Sequence, residues 1–331
     1  MLRNIFSFAV NRSPLFKALC CSIFLFSTFS PAPALTPTQP VSALDYKISV
    51  LKVEIPFDYA MHQIIIHAST PGVPKLNLLL DTGSDYCILD SALKLGGFDD
   101  KPILVNMLQG KKRMMKFFLN SLKLGEGEKS VSVANLPILR NDFRKVGEKL
   151  KRRIDGVLGL SFLAGYVLEI DYARKTLRFS LPESNLTLEK GDDVNSFLFE
   201  LMQLRPKQPF SSLTLNGTLP QNRTHPFIVD TGFGGMACFT HKAAEESGLL
   251  QDDTGRSLTG TTTSEGENRS ESIIASKLLL GVIDLSGEKV LVDSPTPNDG
   301  ERPGMIGNLF LENYLVIFDY KHKLLRMESR K

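Results

Sequence analysis

Asp81-Thr82-Gly83 and Asp230-Thr231-Gly232 are the residues of this chain best suited to chemistry. Each triplet ends an apolar stretch, residues 76–80 in one case and Phe227-Ile228-Val229 in the other. Such a stretch reads as a buried strand, and an ionised carboxyl at its end is costly unless something partners it. The glycine permits a tight turn with φ above zero, and the threonine hydroxyl is available to the turn's own hydrogen bonds. If the two turns meet about a two-fold axis, Asp81 and Asp230 become neighbours and share one proton, because two adjacent carboxylates do not both ionise cheaply. One member is then an acid and the other a base. A water held between them would lose a proton while a carbonyl oxygen gains one, which is general acid–base attack on an amide with no covalent intermediate.

The elements that must deliver these residues show as an internal repeat. DGVLGLSFLAGYVLEIDYARKTLRF from Asp155 matches PGMIGNLFLENYLVIFDYKHKLLRM from Pro303, with Gly159, Phe162, Tyr166 and Asp171 facing Gly307, Phe310, Tyr314 and Asp319 at a constant offset of 148 residues. LNLLLDTGSDYCIL around Asp81 matches HPFIVDTGFGGMACF around Asp230 at an offset of 149. LKLGE at 122–126 and LLLGV at 278–282 form a weaker third match. Each copy reads as mostly strand, with a hairpin around the Thr70-Pro71-Gly72 turn delivering Asp81. After Gly159 and Gly307, Ser161 and Asn308 read as N-caps of a short helix, followed by a strand that closes in Asp-Tyr. The expected architecture is mainly β, with two pseudo-two-fold related, β-barrel-like lobes at 35–182 and 195–331 and a polar linker at 183–194.

A lone Asp-Thr-Gly means little, and the chain holds a third copy at Asp253-Thr254-Gly255. That copy has polar neighbours and no apolar strand before it, so it reads as a loop. Asp171 and Asp319 also repeat, but each precedes a basic turn, where an aspartate ends the strand and bonds the turn backbone.

With these motifs in place the chain resembles the retropepsin and pepsin superfamily of aspartic peptidases, and most of all two-copy bacterial relatives of the aspartyl protease family. The likeness covers residues 46–326. It implies the bilobal acid-protease fold and a water-activating pair made by Asp81 and Asp230. It also implies that Val157-Leu158-Gly159 and Met305-Ile306-Gly307 support the two loops. Thr82 and Thr231 would bond across the axis, Gly83 and Gly232 would allow that interlock, and Ser84 would bond the outer oxygen of Asp81. Phe233 departs from the pattern, in which Ser, Thr or Ala is usual. With Ser84 stabilising one anion and Phe233 giving no donor to the other, Asp230 is expected to hold the proton. Flap hairpins are expected around 107–115 and 258–267.

Composition sets the frame for this reading. The 331 residues suffice for two domains with their own cores, and 42% hydrophobic with 23% charged residues is the balance of a globular chain. A net charge of +3, spread in short basic clusters, gives no nucleic-acid signature. Arg3, Arg12 and Lys17, an apolar stretch over 18–29 and small residues up to Ala34 have the layout of a secretory signal peptide, 1–34. A secreted or periplasmic protein without stable membrane insertion is therefore expected. Cys20 and Cys21 would leave with that peptide, while Cys87 and Cys238 would remain as buried thiols in separate lobes. The five histidines show no metal-ligand spacing, so neither metal nor cofactor is expected. The expected partner is a peptide or protein substrate, and a chain holding both halves of the site is expected to act as a monomer. The competing reading is an exported, non-catalytic peptide-binding protein on the same scaffold, for which Phe233 is the one supporting feature.

Overall fold

The computed structural model describes residues 45–48, 52–107, 110–182, 196–208, 210–251, 257–263, 266–295 and 302–330. The expected signal peptide, the linker at 183–194 and the third Asp-Thr-Gly lie outside the described residues. The chain is mainly β, and among the described residues the helices are short. Among the described residues no helix is long and apolar enough to cross a membrane.

The strand that ends at Asp81, Val73–Leu80, is the third of an antiparallel run that begins with Val53–Ala60 and Gln63–Thr70. Gly72 takes φ 84 in the turn before it, a conformation that a side chain would strain. Leu76, Leu78 and Leu80 of this strand are fully buried. Each such side chain contributes roughly 1.5–3 kcal/mol relative to exposure, which offsets the cost of carrying a carboxyl inward. Val73–Leu80 pairs in parallel with Gly156–Leu158, and that short strand pairs antiparallel with Cys87–Asp90 on its other side. The chain on either side of the Asp81 turn is thus stitched to the strand that leads into Gly159.

The second lobe repeats the arrangement. Thr224–Val229 ends at Asp230, pairs in parallel with Gly304–Ile306, and that strand pairs antiparallel with Ala237–Phe239. The main-chain bonds correspond one to one: Asp81 N–H donates to the Leu158 carbonyl at 3.1 Å, and Asp230 N–H to that of Ile306 at 2.8 Å. Hairpins occupy both places where flaps were expected. One is Gly97–Met107 with Gly110–Glu126, the other Ser257–Thr263 with Gly266–Ile274.

The lobes join through a sheet ordered Ser196–Glu200, Leu324–Ser329, Tyr314–Asp319, Val167–Asp171, Thr176–Ser180, Val53–Ala60. Its middle pair is antiparallel, with Val167 opposite Asp319, Asp171 opposite Leu315 and Glu169 opposite Ile317 at the centre. Glu169 and Ile317 are the same position of the repeat, 148 residues apart. A pseudo-two-fold axis therefore passes through that pair, as the repeat requires. Asp171 and Asp319 bond the turns that follow them, accepting from the N–H groups of Arg174 and His322.

Two local expectations need correction. Gly159 and Gly307, rather than Ser161 and Asn308, stand at the N-cap positions of the helices Leu160–Leu163 and Asn308–Leu311. Ser161 Oγ instead accepts the Cys87 N–H at 2.9 Å, and Asn308 lies inside its helix.

Candidate active site

The two Asp-Thr-Gly turns meet on the axis, and their threonines interlock. Thr82 N–H donates to Thr231 Oγ1 and Thr231 N–H to Thr82 Oγ1, both at 3.1 Å. Each hydroxyl then donates onward across the axis, Thr82 to the Val229 carbonyl at 2.6 Å and Thr231 to that of Leu80 at 3.0 Å. Each threonine thus ties its own turn to the strand that carries the opposite aspartate.

Asp81 and Asp230 are both buried. The glycine after each threonine donates its N–H back to the carboxyl, Gly83 to Asp81 Oδ1 at 2.9 Å and Gly232 to Asp230 Oδ1 at 2.7 Å. The glycines are needed for a reason other than the positive φ anticipated from sequence, since neither takes one. A Cβ on Gly83 would lie 2.7 Å from Asp230 Cγ, and one on Gly232 would lie 2.6 Å from Asp81 Cγ. Each carboxyl packs where the opposite turn has no side chain.

Gly159 and Gly307 stand behind the turns. A Cβ on Gly159 would meet the Tyr86 carbonyl oxygen at 2.4 Å, and one on Gly307 would meet that of Phe233 at 2.3 Å. These contacts are with backbone, so the turns have no room to yield.

Ser84 does not do what the resemblance implies. Its hydroxyl donates to the Tyr86 carbonyl at 2.8 Å, so no side-chain bond to the outer oxygen of Asp81 forms. Phe233 is fully buried in an apolar cluster with Ile228, Cys238, Leu291 and Met305. The expected contrast between a donor at 84 and none at 233 therefore disappears. Burial and then the charge of Asp230 hold the Asp81 carboxyl well above the usual range. Burial also pushes Asp230 up, to about 6, against the pull of the Gly232 N–H. Both carboxyls are raised and titrate as one pair that shares a proton.

Several residues that shape the site were not singled out from sequence. Gln63 Nε2 donates to the Gly232 carbonyl at 3.3 Å, and Ser212 Oγ lies 2.8 Å from that of Gly83. These two occupy the same repeat position, 149 residues apart, so each lobe supports the opposite turn from one equivalent place. Asp85 is buried, ion-paired with Arg205, and accepts the Ser212 N–H at 2.9 Å. Burial pushes its carboxyl up, while Arg205 and Ser212 pull it down. The repeat offset pairs Gln63 with Ser212, but their unlike side chains hide the match from residue similarity.

Cys87 and Cys238 are buried thiols. Burial pushes the Cys87 thiol up to about 11, which leaves it a poor nucleophile. Among the described residues no cluster of three or more His, Cys, Asp or Glu is arranged to hold a metal ion.

No family model and no curated protein sequence matches the chain. Solved structures do. Basic 7S globulin from soybean matches with a TM-score of 0.50 at 10% identity, over 84% of this chain and 94% of its own. An aspartic proteinase from Irpex lacteus matches with a TM-score of 0.49 at 12% identity, over 84% and 97%, and edgp with 0.48 at 9%, over 86% and 96%. At 10% identity the likeness to the soybean globulin speaks for fold alone. With its paired lobes and interlocked turns on a common axis, the chain has the mainly β, bilobal acid-protease fold.

Proposed function

We propose that this protein is an aspartic endopeptidase that hydrolyses peptide bonds with water activated between Asp81 and Asp230. The observation that carries this reading is the reciprocal threonine interlock, which sets two buried carboxyls of raised pKa against each other's turns. A pair of this kind holds one proton over a range of pH. The anionic carboxyl takes a proton from water as the oxygen attacks the carbonyl carbon, and the neutral carboxyl gives its proton to the carbonyl oxygen. Collapse of the tetrahedral adduct expels the amine, which takes up a proton, and leaves a carboxylic acid. The interlock holds both groups in place before substrate arrives, so little reorganisation is needed at the moment of reaction. On the same reading the two hairpins close over an extended peptide, the chain is exported, and it acts as a monomer.

The second reading, a peptide-binding protein without turnover, rests on Phe233. Its ring packs into the apolar cluster, and its N–H makes the same bond to the Asp230 carbonyl, at 3.2 Å, that Ser84 makes to Asp81, at 3.3 Å. The substitution thus leaves the turn intact, and hydrolysis is the better-supported reading. The test is incubation of a mixed peptide library with the purified protein and with Asp81→Asn. Cleavage products from the first and none from the second are expected. A wild-type protein that binds peptides and cuts none at any pH from 3 to 8 would reverse the preference.

A further inference from the structure

Asn308 joins three parts of the molecule behind the Asp230 turn. It is fully buried, and both N–H groups and the carbonyl oxygen of its amide are hydrogen-bonded. Nδ2 donates to the carbonyls of Thr231 at 2.6 Å and His62 at 2.7 Å, and Oδ1 accepts from the Tyr172 hydroxyl at 2.7 Å. The Thr231 carbonyl belongs to the same planar peptide unit as the Gly232 N–H, the group that donates to Asp230 Oδ1. Fixing the oxygen of that unit fixes the direction of its N–H. A bond to the oxygen also polarises the amide and strengthens the N–H as a donor.

The other turn lacks this device. Gly83 N–H makes the equivalent bond to Asp81, at 2.9 Å. The residue after Gly159, however, is Leu160, which has no amide to offer its turn. Tyr320, the repeat counterpart of Tyr172, has a buried hydroxyl with no hydrogen-bond partner among the described residues. Its neighbourhood supplies no acceptor where Asn308 stands in the second lobe.

We propose that Asn308, held by Tyr172 and His62, is a positioning residue that assigns the negative charge of the pair to Asp230 and the shared proton to Asp81. The Gly232 N–H, aimed and polarised through the Thr231 carbonyl, favours the anion on its own side. Other ionisable groups also face the pair. Tyr320 and Cys87 feel the charge of Asp81. Asp85 and Arg205 flank the first turn, and Glu312 bonds Tyr59 and His62 behind Asn308. Of these groups, none makes the bond to the Thr231 carbonyl, which belongs to Asn308.

The assignment can be read without turnover. In the full chain labelled with 13C at the aspartate carboxyls, signals identified with Asp81→Asn and Asp230→Asn are followed over pH. Between the two apparent pKa values of the wild-type pair, Asp230 should show the shift of a carboxylate and Asp81 that of an acid. Asn308→Leu installs the residue that the first lobe already carries there. It should bring the two signals together and raise the lower apparent pKa of the pair by about one unit. Tyr172→Phe should act in the same direction by less, and it keeps the amide in place should Asn308→Leu fold poorly. A wild-type Asp230 that titrates as the neutral member overturns the inference. So do folded variants whose carboxyls titrate as in wild type.

A second arm rests on the proposed peptidase reading: Asn308→Leu should lower kcat about tenfold with KM unchanged within twofold, a split that general loosening would not give. A protein that cuts no peptide yet shows the carboxyl shifts refutes the peptidase reading and leaves this inference standing. Cleavage with unshifted carboxyls does the opposite.

Discussion

Two residues follow each Asp-Thr-Gly turn at matching places of the repeat, Ser84 and Asp85 on one side, Phe233 and Gly234 on the other. On the first side Asp85 reaches into the opposite lobe and is held there by Arg205 and Ser212. On the second, Phe233 fills an apolar cluster of its own lobe. The backbone is nonetheless the same on both sides, with the carbonyls of Ser84 and Phe233 each accepting an N–H at 2.8 Å from Leu160 and Asn308. Turn geometry is therefore specified by the threonine, the glycine after it and the glycine behind it. The next two residues of the chain decide only whether the turn is anchored by charge or by apolar packing.

The severest test of the comparison asks whether unlike anchors serve equal carboxyls. Asp81→Asn and Asp230→Asn should each lower kcat for peptide cleavage by about 10³-fold with unchanged circular dichroism, since the chemistry needs acid and base together. A single variant that keeps most of the activity would show that one half suffices.

The anchors should differ in how they can be repaired. Asp85→Ala leaves Arg205 without its carboxylate partner and should cost about 3–5 kcal/mol in urea unfolding. Replacing both members together, Asp85→Leu with Arg205→Met, should recover much of that, because apolar side chains of similar volume often match a buried ion pair. Phe233→Ala should cost a similar amount, about 3–5 kcal/mol, through the cavity it leaves. No polar partner is there to be removed in compensation. Failure of the double variant to exceed Asp85→Ala would mean that the charge itself is indispensable.

The shared interior of the two turns should appear in the pH dependence of stability. Both carboxyls are raised in the fold, Asp230 to about 6 and Asp81 well above its usual value. The folded state then binds more protons than the unfolded chain, so their contribution is fully present below the unfolded pKa near 4 and is lost as pH rises through the folded values. Unfolding free energy should fall by a few kcal/mol between pH 4 and neutrality, and the double Asp→Asn variant should flatten that part of the curve. A wild-type curve that rises steadily over this interval would show that the pair is not buried with a shared proton.

The smallest expected effects have opposite signs. Tyr172→Phe removes the donor to Asn308 Oδ1 and should cost about 1 kcal/mol. Tyr320→Phe removes a buried hydroxyl with no partner among the described residues, and thermal melts should show no loss or a gain of similar size. Equal losses from both would erase the difference drawn between the tyrosines.

Much of this was legible in the sequence. The 148–149 residue offsets exposed the duplication, and the apolar runs before Asp81 and Asp230 marked strands that the structure places beside Gly156–Leu158 and Gly304–Ile306. Side-chain direction was not legible. Ser84 is of the right type and adjacent to the turn, yet its hydroxyl finds the Tyr86 carbonyl nearer to hand. Gln63 and Ser212 share a role but no chemical class beyond that of donor, so similarity of residue type passes over them. Asp85 and Arg205 are 120 residues apart and meet only because the lobes face each other. The purpose of Gly83 and Gly232 was also hidden, since their own backbone angles are ordinary and the constraint comes from a carboxyl in the other half.

The central register of the joining sheet, Glu169 opposite Ile317, has a consequence for how the site can change over generations. In an assembly of two identical lobes each mutation appears twice, once on either side of the axis, and an acid opposite an isoleucine at that centre would be impossible. Here a change is written once. A leucine at 160 and an asparagine at 308, or Asp85 facing nothing like itself at Gly234, are available only to a chain that carries both halves in tandem. Selection can then adjust the two carboxyls separately, leaving the threonines, which must match, as the part of the site least free to drift.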